Sequence, residues 1–349
     1  MKTHWIPMML FLALAGCGGS GMRAAPPGRV VATPTIAQGR ATTIVVSTYD
    51  PTSSAHGQIL SFNALGSGNI APTQSLSGSA SQVQVPSGIA LGPAGNLYVL
   101  NASAGGTYEI LQFRSGWTAT SAPSGSVADN ASELVSPTAI AVGPSGNVYV
   151  ADSATQSILV FASGAIGNVA PTRTVAGSST GFSSPVSGLA ANPIDDVYVS
   201  SGKSVVAFDP SQNGNVTPAR TLTGKSTGLV GPSAMAFLSD GTAYIVTSKG
   251  NGSYPQIEVF SPLESGDLPP ITELGGITTG LTAPTAMAFD QAGYLYVANA
   301  SSCPSEQGSV QAPPAILVFP PGIVGNKAPI ATISGSNTSL GCITGIAVY

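Results

Sequence analysis

The chain has 349 residues with 43 Gly and 28 Pro, 43% hydrophobic residues and a formal net charge of −4. Charged residues make up only 7%, against about 25% in an average globular domain, which excludes the charge-rich, apolar-poor profile of a disordered chain. With 11 Lys and Arg against 15 Asp and Glu, no basic field exists to hold a phosphate backbone, so nucleic acid is not expected as a partner.

The chain opens with Lys2 and an apolar run from Trp5 to Ala15. A positive start, a short apolar stretch and small residues at its end make a secretory signal over residues 1–16, too short to span a bilayer. The ending Leu14-Ala15-Gly16-Cys17 resembles a bacterial lipobox. That resemblance implies cleavage before Cys17, lipidation of its thiol, and a place in the bacterial cell envelope outside the cytoplasm. Residues 17–40 are rich in Gly, Ala and Pro without a sustained apolar period, and read as a flexible tether.

From residue 41 onward one motif repeats. A Tyr-Val type strand recurs at Tyr98, Tyr149, Tyr198, Tyr244 and Tyr296, and a copy without tyrosine reads Ile44-Val45-Val46. Each is followed by a strand ending in phenylalanine: Phe62, Phe113, Phe161, Phe208, Phe260 and Phe319. Ahead of each Tyr strand lies a short strand of small and apolar residues, such as Thr138-Ala139-Ile140-Ala141. Turn sequences such as Gly143-Pro144-Ser145-Gly146-Asn147 separate the two. A fourth strand is expected to open at Gly68-Asn69, Gly167-Asn168, Gly214-Asn215 and Gly325-Asn326. Four short strands per period of about 50 residues describe a β-propeller blade.

The ends supply the blade count. The chain finishes on Thr344-Gly345-Ile346-Ala347-Val348-Tyr349, a copy of the first strand with nothing after it. The body starts near Ala41 on a second strand with no first strand before it. The two ends are expected to complete one blade together and close a six-bladed all-β ring over residues 41–349, which removes the open sheet edge.

The segment Ile140 to Asp152, continued through Ile158-Leu159-Val160-Phe161, resembles the NHL repeat. The resemblance implies a six-bladed propeller but no single activity. Such propellers include protein- and RNA-binding modules, peptide-amidating lyases and lactonases, and fold alone does not choose among them. The lyases use several histidines, whereas only His4 and His56 occur here.

Features present in every blade serve the blade, and deviations point to function. The in-register hydroxyls Ser87, Thr138, Ser187, Ser233, Thr285 and Thr344 either ring a channel mouth or cap strand starts by bonding backbone. Loops between the Tyr and Phe strands vary in length: short after Asp152 and Ser201, long after Asn101 and Thr247, longest after Asn299. Long loops on a rigid scaffold carry binding. The expected binding face therefore holds Asp50, His56, Asn101, Tyr108, Glu109, Asp152, Tyr254, Asn299 and Glu306. Oxygen ligands suit a hard cation, so Asn101, Asp152 and Asn299 also form the candidate Ca²⁺ set. Asp195-Asp196 replaces a Gly-Asn turn and reads as a solvated turn.

Cys303 and Cys342 form an even pair once Cys17 is lipidated, and in an oxidising compartment a disulfide is expected between them. The combined reading is a monomeric, membrane-anchored binding or scaffold module for a protein or glycan, without a cofactor. The alternative is a calcium-dependent lactonase- or lyase-like enzyme with its site at the channel.

Overall fold

The computed structural model describes residues 39–50, 57–103, 105–128, 130–182, 186–248, 254–300 and 313–349. Cys17, His56, Cys303 and Glu306 lie outside them.

Six separate four-stranded antiparallel sheets make up the body. In blade 3 the inner strand is Pro137–Val142, the second Val148–Asp152, the third Ser157–Phe161 and the outer Arg173–Ala176. The second and third strands are buried along their whole length in this blade, because each faces a neighbouring blade on both sides. That is why they read as unbroken apolar runs.

The apolar interior is divided into six slabs, one per junction between blades. Phe62 of blade 1 shares a cluster with Tyr296 of blade 6. Tyr149 of blade 3 shares one with Phe208 of blade 4, and Tyr98 of blade 2 with Phe161 of blade 3. The repeated aromatics therefore pack between blades, as large rigid side chains do when both ring faces are covered.

The ring closes as the ends imply. Cys342–Val348 is the inner strand of blade 1 and pairs antiparallel with Thr43–Tyr49, with Val46 opposite Ile346. Thr42 and Thr43 both donate backbone N–H groups to the Tyr349 carbonyl at 2.9 Å. Beside this seam, Ala41 donates to Asp290 Oδ2 at 2.9 Å, and the Tyr296 hydroxyl donates to the same oxygen at 3.0 Å. Burial, then the Asp290 charge, pushes the Tyr296 phenol up to about 12.

The Gly-Asn pairs do not open the outer strands. Those strands begin later, at Gln74, Arg173, Arg220 and Ala331 in the four copies concerned. The glycines lie in the connector before the outer strand and bridge to the preceding blade. Gly68, Gly167, Gly214, Gly266 and Gly325 each form an isolated parallel bridge with the preceding outer strand. Gly167, for example, donates to Ser126 O at 2.6 Å and accepts from Ala128 N. The next side chain completes the clip: Asn168 Oδ1 accepts from Ala131 N at 2.9 Å, and Asn69, Asn215, Asp267 and Asn326 act alike. These five glycines have φ between 71° and 98°, a left-handed conformation that explains the residue type. Turn chemistry looks the same in sequence whether it starts a strand or reaches a neighbour.

Among the described residues no helix is long and apolar enough to cross a membrane.

Candidate functional site on the upper face

The register fixes which ends share a face. The start of each inner strand lies beside the end of the second, as Pro137 beside Asp152 and Pro284 beside Asn299. The connectors from second to third strand all leave from this upper face. They span residues 50–57 in blade 1, 103–107 in blade 2, 153–156 in blade 3, 202–203 in blade 4, 248–255 in blade 5 and 300–314 in blade 6. The connectors are short at blades 3 and 4 and long at 5, 6 and 1.

Blade 2 is lower than its sequence suggests. Asn101 pairs with Glu109 and Ala102 with Tyr108 inside the ladder. Tyr108 and Glu109 therefore belong to the third strand rather than to a long loop, and Glu109 Oε1 accepts from Asn101 Nδ2 at 2.9 Å. Asp50 directly follows the second strand of blade 1. Tyr254 is 48% exposed on the blade 5 connector.

Asn101, Asp152 and Asn299 occupy one register position in three blades, and all three are buried. Each clasps the segment leading into its own inner strand. Asn101 Oδ1 accepts from the N–H groups of Gln84 (2.9 Å) and Val85 (3.1 Å). Asn299 Oδ1 accepts from Thr282 (2.9 Å) and Ala283 (3.0 Å). Asp152 Oδ2 accepts from Val135 and Ser136 at 2.8 Å, while its Oδ1 takes Ala154 N, Thr155 N and Thr155 Oγ1. Thr247 and Thr48 do the same work with a hydroxyl, on Val230 N and Gly341 N.

An amide oxygen has two lone pairs, and both are taken in each asparagine. The set does not fit a hard cation, which needs several free, convergent oxygens. Among the described residues no three His, Cys, Asp or Glu cluster as metal ligands. Calcium or a chelator is expected to leave the melting temperature unchanged. A rise of several degrees with calcium would show that the clasps open to release their oxygens.

The six inner strands enclose a channel cavity of about 140 Å³, lined by Ser87, Thr138, Ser187, Ser233, Thr285 and Thr344 together with Gly, Ala, Ile, Leu and Met. Among the described residues no ionisable side chain lines it. The hydroxyls do ring the channel, and several are also engaged with backbone. Thr138 Oγ1 donates to Val186 O at 3.1 Å, Ser187 Oγ to Pro232 O at 3.3 Å and Thr285 Oγ1 to Ile343 O at 2.9 Å, each reaching the next blade. The ring stitches neighbouring inner strands together.

Channel walls also demand small residues. A Cβ at Gly188 would lie 1.7 Å from the Ser233 carbonyl oxygen, whereas one at its sister Gly88 would first meet Ile140 Cγ2 at 3.3 Å. Gly188→Ala is expected to cost about 1–3 kcal/mol by overpacking. Gly88→Ala should be near neutral, because the lost chain freedom of glycine offsets a tight contact. Urea titration of the two variants checks the contrast.

On the lower face, the turn at Asp195-Asp196 is not a solvated turn. Asp196 is 2% exposed. Arg220 Nη2 donates to its Oδ2 at 2.8 Å, Asn192 Nδ2 donates to the same oxygen at 3.3 Å, and Arg220 Nη1 lies 3.6 Å from Asp209 Oδ1. Burial raises the Asp196 carboxyl above the usual range, with Arg220 opposing. Asp195 holds the left-handed turn position with φ 73°, where blades 2, 3, 5 and 6 have Gly95, Gly146, Gly241 and Gly293.

The comparisons agree with this geometry. Residues 134–161, the lead-in and first three strands of blade 3, match the NHL repeat. The chain is a six-bladed β-propeller that carries an NHL repeat. No curated relative matches it. Among solved structures, a Lactobacillus plantarum protein is similar over 89% of this chain and 100% of its own, at 15% identity and TM-score 0.57. A Bacteroides caccae protein of unknown function is similar over 88% and 99%, at 13% identity and TM-score 0.58. A candidate 6-phosphogluconolactonase from Bacteroides uniformis is similar over 88% and 99%, at 16% identity and TM-score 0.55. At these identities the likeness is one of fold.

Proposed function

We propose that this propeller is a binding module of the bacterial cell envelope, held to a membrane through lipid on Cys17, and that it engages a protein or glycan on its upper face. The observation that carries this reading is the uneven rim: connector 202–203 in blade 4 against 300–314 in blade 6. Varied connectors on a rigid ring are where propellers place recognition. A disulfide between Cys303 and Cys342 would tie the longest connector to the closing strand, and peptide mapping without reductant tests it.

The test uses a photo-crosslinking residue at Tyr254 on the upper face and, as control, at Ile194 on the lower face, both exposed. Irradiation in envelope preparations should give one discrete adduct at Tyr254 and none at Ile194. Adducts at both positions, or at neither, overturn the assignment of the face. Globomycin-sensitive incorporation of labelled palmitate, lost in Cys17→Ser, tests the anchor separately.

A further inference from the structure

Among the described residues the outer edges of the blades are clipped at five junctions and left open at one. Blade 2 has no Gly-Asn in its connector; Ala119-Thr120 stands there instead, and both residues are exposed. That connector turns on itself, with Thr118 N donating to Ser121 Oγ at 2.9 Å and Ser121 N to Thr118 O at 3.0 Å. Trp117 fills the apolar part of the junction, 6% exposed and packed in the cluster of Leu76. The slab is sealed without a backbone clip.

The edge that a clip would cover is the outer strand of blade 1, Gln74–Leu76. Ser75 pairs with Leu60 as Ser126 pairs with Leu111, so its carbonyl holds the place of the one that receives Gly167 N. The N–H groups of Ser77 and Ala80 hold the places of Ala128 and Ala131. Residues 77–80 are exposed. Among the described residues no connector bridges to Leu76 as Gly167 bridges to Val127. Gly78 keeps a positive φ of 81°, and a Cβ there would meet nothing within 4 Å. At its sisters Gly177, Gly224, Gly276 and Gly335 a Cβ would strike the clipping Asn or Asp within 2.7 Å. The cradle at Gly78 has its shape and lacks its occupant.

We propose that this edge, Ser75–Ala80, is a docking site for an extended segment of a partner protein carrying Gly followed by Asn or Asp. The five internal clips define the occupant. Its glycine gives a main-chain N–H to Ser75 O and a carbonyl to Ser77 N. The next side chain gives an oxygen to Ala80 N. This is strand addition at a sheet edge, with glycine required by the left-handed bridge conformation and the acceptor by the orphan N–H. The site lies on the outer rim and is independent of the upper-face assignment.

The test is fluorescence anisotropy of the full-length protein with a labelled peptide Ile-Gly-Asn-Val-Ala-Pro-Thr, the sequence of residues 166–172. Saturable binding is expected. It should weaken about tenfold when the peptide glycine becomes valine, the scale of forcing a β-branched residue into the left-handed conformation, or when its asparagine becomes leucine, the scale of one lost hydrogen bond. Ser77→Pro in the protein, which removes the exposed N–H, should weaken it similarly with an unchanged melting temperature. If that variant folds poorly, the peptide substitutions decide alone. Absence of binding, or binding indifferent to the glycine-to-valine change, overturns the proposal.

Discussion

Removing the last seven residues, 343–349, will abolish cooperative folding of the ring. Those residues make up nearly all of the inner strand of blade 1, in which Ile343 is 2%, Ile346 6% and Ala347 7% exposed. A buried isoleucine truncated to alanine costs about 2–5 kcal/mol. Two such losses, with the ladder to Thr43–Tyr49 gone, approach the total stability of about 5–15 kcal/mol typical of a domain. The strand also covers an edge containing Val45 and Val46, both fully buried, and exposing it invites pairing between molecules. The truncated chain should melt without a sharp transition, bind ANS and aggregate. A cooperative melt within a few degrees of the intact protein would sink the view that one shared blade holds the ring shut.

Arg220→Met will destabilise the protein by about 3–5 kcal/mol at neutral pH, the usual result of leaving a buried charge without its partner. Asp196 would keep its ionised carboxyl against Asn192 alone. The pH dependence carries the sign. The folded-state pKa of Asp196 is already raised by burial, and loss of Arg220 raises it further. A carboxyl raised in the folded state contributes stability that is fully present below its unfolded pKa and is lost as pH rises through the folded value. The deficit of Arg220→Met should therefore be largest at neutral pH and shrink on acidification toward pH 4. Adding Asp196→Asn should recover much of it, because the neutral amide needs no counter-charge. Urea titrations of wild type, single and double variants at pH 7 and pH 4 measure this. A deficit that is the same at both pH values would place the arginine's contribution in packing rather than charge.

The ring was legible in the sequence because a blade cannot bury itself alone. Each second strand must be apolar on both faces, so Tyr149-Val150 and its sisters stand out at a regular period. Closure was legible because an orphan first strand at Thr344 matched an orphan second strand at Ile44. What sequence hid was contact between separate elements. Asp196 reads as part of a turn until Arg220 is seen reaching it from the outer strand of the same blade. Asn101, Asp152 and Asn299 lie in register, as a ligand set would, yet each bonds the backbone 16 and 17 residues before it. The spacing was present in the chain, but nothing in it distinguishes a clasp from a ligand. The extent of the blade 2 connector was also hidden, since polar Asn101 and Glu109 continue a ladder that apolar patterning would end earlier.

The seam of the ring gives the molecule a direction. Thr43–Tyr49 runs from the lower face to the upper, so the chain joins the ring from below, where Arg40 lies over the Tyr294 ring at 4.3 Å and Ala41 is fastened to Asp290. The long connector of blade 1 leaves from the far end of the same strand. Among the described residues the chain therefore enters the ring at the lower face, opposite the end from which the second-to-third-strand connectors leave. The C-terminus ends on that same lower face, because Tyr349 lies beside Thr42. Immobilisation through the C-terminus thus leaves the surface assigned to recognition free, and a surface that must face that attachment point would have to be sought on the lower face, around Arg220.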